Sequence, residues 1–193
     1  MVYVHLADGF EEIEALTTVD LLRRAGIETE TVSVTGRLPA TGAHGVEVVA
    51  DIRFGDAVYD QCEMIVLPGG LPGATHLYEH EGLREKLFAF ANQGKWLAAI
   101  CAAPAFVLGE NGLLDGRRAT CYPGCEGKMG GAEVIQDPTV PVVVDEGDGA
   151  GGPKAKLITS RGPATAAAFA LAIIEALKGA ETKEQIARDL LLE

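Results

Sequence analysis

Cys101 stands where an apolar run, Trp96-Leu97-Ala98-Ala99-Ile100, stops and Ala102-Ala103-Pro104 begins. A cysteine at such a junction is a nucleophile elbow with sulfur in place of a hydroxyl. It faces unpaired backbone N–H groups and the positive end of a helix, and both favour thiolate over thiol. A thiolate adds to electrophilic carbon or is oxidised at sulfur. The same pattern also accommodates an inert cysteine packed as a small hydrophobe, so the reading depends on what else reaches the sulfur.

The four histidines, His5, His44, His76 and His80, all precede the elbow. A Cys–His–Glu triad of the glutamine-amidotransferase kind needs a late histidine, and Ala102 removes an adjacent Cys–His pair. Carboxylates remain: Glu11, Glu12 and Glu14, in the first turn of the first expected helix. Acidic residues suit a helix start through the dipole alone, which accounts for Glu11 and Glu12. Glu14 lies deeper and is the candidate partner. Ionised, it would raise the thiol pKa by repulsion; buried and protonated, it could donate a hydrogen bond to the thiolate and lower it.

Gly69 and Gly70 follow an apolar strand and let backbone N–H groups approach a ligand closely. Together with the Ala102 N–H they could form an oxyanion hole or hold an oxidised sulfur, or be an ordinary tight turn. The stretch is no phosphate loop, because no Gly-Lys-Ser/Thr follows. Ser160-Arg161-Gly162-Pro163 is a strand–helix junction or an anion-facing rim. Cys121 and Cys125 are spectators or resolving thiols. They have no second Cys or His pair to complete a zinc site, so no structural metal is expected.

The elements that must position these groups alternate. Strands are expected at Val2–Ala7, Thr29–Val34, Val46–Ala50, Met64–Leu67, Trp96–Ile100, Arg118–Cys121 and Lys156–Thr159. Val134-Ile135 and Val140–Val144 look like a hairpin, Gly36–Gly45 like a loop and Asp145–Pro153 like a flexible connection. Helices are expected at Glu11–Ala25 (Ala15, Val19 and Leu22 on one stripe), from Gly82 to Gly94, after Cys101, and to Lys178. The last of these is apolar almost all round and so covered on both sides, and Thr182 with Gln185 has capping-box spacing for a final helix. Alternating strands and helices indicate a single α/β domain over residues 1–193, with a mostly parallel sheet and its sites at the carboxyl ends of the strands.

The charge balance is 16 basic against 28 acidic residues, a net −12 with a pI near 4.7. That argues against nucleic acid or an anionic membrane surface as the main partner. No apolar run reaches the roughly 20 residues of a membrane span. Met1–Ala7 reads as a core strand, unlike a signal peptide, so a cytoplasmic location is expected.

These pieces together resemble the DJ-1/ThiJ branch of the DJ-1/PfpI superfamily. The matches are Gly9-Phe10-Glu11-Glu12-Ile13-Glu14, Arg23-Arg24-Ala25-Gly26, Leu67-Pro68-Gly69-Gly70 with Gly73-Ala74, Ala99-Ile100-Cys101-Ala102, and Thr159-Ser160-Arg161-Gly162-Pro163. They keep the family's order over almost the whole chain. The resemblance implies a flavodoxin-like three-layer α/β/α sandwich, a homodimer, no cofactor, and a readily oxidised cysteine at Cys101 partnered by Glu14. It also implies cofactor-independent glyoxalase or deglycase activity on small α-oxoaldehydes or their protein adducts, as a hydrolase or lyase. The alternative is a non-enzymatic oxidative-stress sensor or redox-regulated chaperone signalling through Cys101. The chain departs from the pattern at Ala103, where Gly often stands. It departs again at Thr120-Cys121-Tyr122-Pro123, the region where members with a third catalytic residue carry His.

Overall fold

The computed structural model describes residues 1–147 and 154–192. Eleven strands lie among them: β1 (Val2–Leu6), β2 (Thr29–Ser33), β3 (Pro39–Thr41), β4 (Glu47–Val49), β5 (Ile52–Arg53), β6 (Met64–Leu67), β7 (Trp96–Ile100), β8 (Arg118–Ala119), β9 (Glu133–Val134), β10 (Val142–Asp145) and β11 (Lys156–Ser160). The α-helices are α1 (Glu12–Arg24), α2 (Gly73–Glu79), α3 (Glu81–Gln93), α4 (Ala166–Lys178) and α5 (Ala180–Asp189).

Seven strands form the central sheet in the order β10-β11-β7-β6-β1-β2-β5. All its pairings are parallel except β10 with β11. Strands covered on both faces read as near-continuous apolar runs, as β6 (MIVL) and β7 (WLAAI) do. On one face Val4, Leu6, Ile100 and Ile158 pack with α1 and α4. On the other, Tyr3, Ile65, Leu97 and Leu157 pack with Leu83, Leu87 and Phe90 of α3. Helix α4 sits on the sheet between α1 and α5, which is why its sequence is apolar nearly all round. The architecture is the flavodoxin-like sandwich expected.

From β1 the chain first fills one side of the sheet (β2, β5) and then the other (β6, β7, β11). The order therefore reverses between β1 and β6, and ligands of open α/β sheets collect at such a switch point, beyond the carboxyl ends. The turn after β1 leads to Glu11–Glu14, and the turn after β6 is Gly69-Gly70.

Several local expectations are corrected. Gly36–Gly45 contains β3, which pairs antiparallel with β4 to make an arm; the alternation was hidden by its glycines. Val134-Ile135 and Val140–Val144 do not form a hairpin with each other, since β9 pairs with β8 and β10 with β11. The strand expected over Arg118–Cys121 ends at Ala119. Asp145 closes β10, and residues 148–153 of the loop expected over Asp145–Pro153 lie outside the described residues. Helix α2 was missed because Pro and Gly crowd its start. The Thr182–Gln185 capping box does not form: α5 already begins at Ala180, and the Thr182 hydroxyl donates to the Lys178 carbonyl at 3.3 Å.

Candidate functional site

The elbow is built as a strained turn. Cys101 takes φ +65°, one of two non-glycine residues among those described with positive φ. The Cβ of any L-residue disfavours this region on steric grounds, and its use outside glycine stores strain. Two backbone hydrogen bonds hold it: the Cys101 N–H donates to the Ser160 carbonyl at 2.9 Å, and the Cys101 carbonyl accepts from Tyr122 N–H at 2.8 Å. The following helix differs from expectation. Pro104–Gly109 is a six-residue π-helical turn, with Glu110 N–H reaching back to the Ala105 carbonyl at 3.1 Å. So short a turn has little macrodipole to offer, and thiolate stabilisation falls to individual amide groups.

The turn after β6 lies against the sulfur. A Cβ on Gly69 would stand 2.6 Å from the Cys101 Cβ and 2.9 Å from Glu14 Oε2. Gly70 has φ +86°, and a Cβ there would meet the Gly9 carbonyl oxygen at 2.5 Å. Only glycines let the two turns close on the elbow. The amides of Gly70 and Ala102 bear on the Cys101 sulfur and draw its pKa down. Gly69 is corrected: its N–H donates to Glu14 Oε2 at 2.8 Å, so it orients the carboxyl and is unavailable to an oxyanion.

Glu14 is fully buried on α1. Its helix start is fixed by Glu11, whose Oε2 accepts from the Glu14 N–H at 2.7 Å. An acidic side chain four residues ahead of Ala15, where the apolar stripe begins, is the available sequence signal for that cap. Glu14 Oε1 has no hydrogen-bond partner, and the Cys101 thiol touches the carboxyl.

Burial pushes Glu14 up to about 7, while the Gly69 amide and the Cys101 thiol pull it back and Glu11 adds a small upward push. Burial and then the neighbouring Glu14 push Cys101 far up, against the lowering expected at a helix start. Ionising either member penalises ionising the other. Protonating Glu14 removes one of the two pushes that keep Cys101 a thiol, and the Gly70 and Ala102 amides act in the same direction.

The remaining candidates fall outside this cluster. Glu12 holds the β3–β4 arm: its Oε1 accepts from His44 N–H at 2.7 Å and its Oε2 lies 2.8 Å from His44 Nδ1. Glu11, Glu12 and His44 bring one ligand atom each within 4.8 Å of one another, but these contacts already occupy both Glu12 oxygens. Arg161 donates to the Gln136 carbonyl at 3.3 Å and draws down the Cys121 thiol, so it serves the neighbouring turn and not the Cys101 sulfur. Cys121 is buried, and burial first pushes its thiol up to about 12.

The model of the DJ-1/PfpI family matches residues 1–176. The chain belongs to this family. It is 34% identical over 99% of its length to Protein DJ-1 homolog B of Arabidopsis thaliana, of which it covers 41%. It thus spans less than half of that relative. It is 33% identical to the Caenorhabditis elegans protein named glutathione-independent glyoxalase DJR-1.2, over 94% of this chain and 90% of that one. The solved structure of oxidized Toxoplasma gondii DJ-1 superposes with a TM-score of 0.86 at 36% identity, covering 98% of this chain and 97% of the other. Among the described residues, no helix of this DJ-1/PfpI protein is long and apolar enough to cross a membrane.

Proposed function

We propose that the chain is a cofactor-independent enzyme of glyoxalase or deglycase type, acting on small α-oxoaldehydes or their protein adducts through Cys101. The observation that carries the reading is the single cluster of a strained Cys101, the buried Glu14 carboxyl and the Gly70 and Ala102 amides. The worm relative's printed name supports the substrate class.

In this reading the sulfur adds to the aldehyde carbon, forming a C–S bond and placing negative charge on oxygen, where the two amides face it. Glu14 carries a proton from that carbon to the adjacent carbonyl carbon, turning the hemithioacetal into a thioester. Water then cleaves the C–S bond and releases a 2-hydroxy acid and the thiol. No electrons enter or leave. With no histidine after the elbow, proton transfer rests on Glu14 and water.

The test is methylglyoxal conversion by the purified chain without added thiol or metal. Turnover that vanishes in Cys101→Ser supports the reading, and turnover equal in wild type and Cys101→Ser overturns it.

A second reading is favoured by the Toxoplasma relative's having been solved in an oxidized form. Here Cys101 is a sensor, and its sulfenic or sulfinic acid is the signal. Selective peroxide oxidation at Cys101 without aldehyde turnover is its mark.

We also infer a homodimer in the cytoplasm. Ile13 and Leu16 on α1, with Val46 and Val49 on the arm, are exposed apolar residues, and the Glu12–His44 contact holds the arm to the start of α1. Sedimentation of wild type against Val49→Asp tests this, a monomeric wild type overturning it.

A further inference from the structure

One aromatic side chain at the elbow has no part in the chemistry above. The Tyr122 N–H is bonded to the Cys101 carbonyl at 2.8 Å, which fixes this residue against the turn that presents the sulfur. Its ring packs over Gly162: a Cβ there would lie 3.2 Å from the ring Cδ2 and 3.5 Å from Cε2. Gly162 has φ 163°, an extended conformation open to any residue, so what its missing Cβ provides is room for this ring. Gly162 follows β11 and Cys101 follows β7, and these strands are direct neighbours. The backbone of Tyr122 is thus tied to the turn after β7 while its half-exposed ring lies on the turn after β11. The flanking Cys121 and Pro123 instead line a separate cavity of about 160 Å³ with Arg161 and Glu126.

We propose that Tyr122 is the specificity-determining wall of the Cys101 site. Its ring admits small, flat electrophiles such as unbranched α-oxoaldehydes to the sulfur and turns away aromatic or branched ones. The phenol hydroxyl is not needed for this; the ring is. The proposal rests on the reading of Cys101 as the reacting group, and its test reads access to the sulfur without requiring turnover.

The experiment measures alkylation rate constants at Cys101 by mass spectrometry, with iodoacetamide as the small reagent and N-phenylmaleimide as the bulky one. The variants are wild type, Tyr122→Phe, Tyr122→Ala and Tyr122→Leu. Protection of the fully buried Cys62 reports that each variant is folded, and Tyr122→Leu replaces Tyr122→Ala should the latter lose that protection. The expected result is a bulky-to-small rate ratio about tenfold higher without the ring, the scale of steric discrimination in an apolar pocket, and within about twofold of wild type in Tyr122→Phe. A ratio unchanged in Tyr122→Ala and Tyr122→Leu overturns the proposal, as does a Phe variant that behaves like Ala. If Cys101 resists both reagents in every variant, the reactive-cysteine reading fails, and the wall with it.

Discussion

Glu14 and His5 make an instructive pair. Each is fully buried, and each carries a polar atom with no hydrogen-bond partner, Oε1 in one and Nδ1 in the other. Burial is the leading cause of both shifts, lifting Glu14 to about 7 and dropping His5 to about 3. Their surroundings differ. His5 Nε2 lies 2.7 Å from the Tyr59 hydroxyl, and its ring stacks on Tyr59 beside Phe54. It sits against aromatic rings and works as a neutral core residue. Glu14 meets a thiol on a strained turn and two amides aimed at the same sulfur. A perturbed pKa marks burial; a candidate site needs reacting groups converging on one point.

The sharpest break of this comparison is by substitution. Cys101→Ser is expected to lower methylglyoxal turnover by about 10³-fold or more, whereas His5→Asn leaves kcat/KM within a fewfold. Comparable losses in both would erase the distinction.

Next comes acid stability. His5 stays neutral in the fold while the unfolded chain protonates near 6.5. Stability is therefore complete above 6.5 and lost as pH falls toward 3, by up to about 5 kcal/mol. Below pH 4.5, where Glu14 is protonated in the folded and the unfolded chain, urea unfolding should show the loss in wild type and a flat profile in His5→Asn.

Glu14 carries the opposite sign. The unfolded chain releases this proton near 4.5 and the folded chain near 7. Stability is then complete below 4.5 and lost as pH rises to about 7, by about 3 kcal/mol. The two slopes oppose each other between 4.5 and 6.5. In that window the two contributions nearly cancel in wild type, Glu14→Gln should gain stability with rising pH, and His5→Asn should lose it. Parallel profiles for the two variants would show that the groups do not titrate as placed.

The smallest effect concerns the glycines. Gly69→Ala forces a Cβ to 2.6 Å from the Cys101 Cβ, and overpacking of this kind costs about 1–3 kcal/mol. Gly162→Ala, at 3.2 Å from a half-exposed ring, should cost less than about 1 kcal/mol. Denaturation midpoints decide the order.

Much of this was legible in the residues themselves. The apolar runs of β6 and β7, the stripe of α1 and the alternation of elements define a parallel sheet without any coordinates, because burial on both faces leaves a compositional trace. Cys101 was legible as an elbow, since a strand ending in a small-residue turn is a local pattern. Other features were not. The arm hid among glycines, and α2 among prolines. Gly69 reads from sequence as one more amide for an oxyanion, but its N–H is spent on a carboxyl 55 residues away in the chain. The Cys101 thiolate was expected to be favoured by a helix start; burial of the sulfur and the neighbouring Glu14 reversed that.

The sequence by itself determined the inner strands of the central sheet, the long helices α1, α3 and α4 packed on it, and that a cysteine ends β7. It did so because periodicity, turn residues and strand breaks act over a few neighbours. The tertiary structure alone decided which amides bear on the sulfur, that burial raises the Glu14 pKa while Glu12 clasps an arm, and that the Tyr122 ring rests on Gly162. Those outcomes depend on desolvation and on contacts between segments tens of residues apart, and neither quantity exists until the chain has closed on itself.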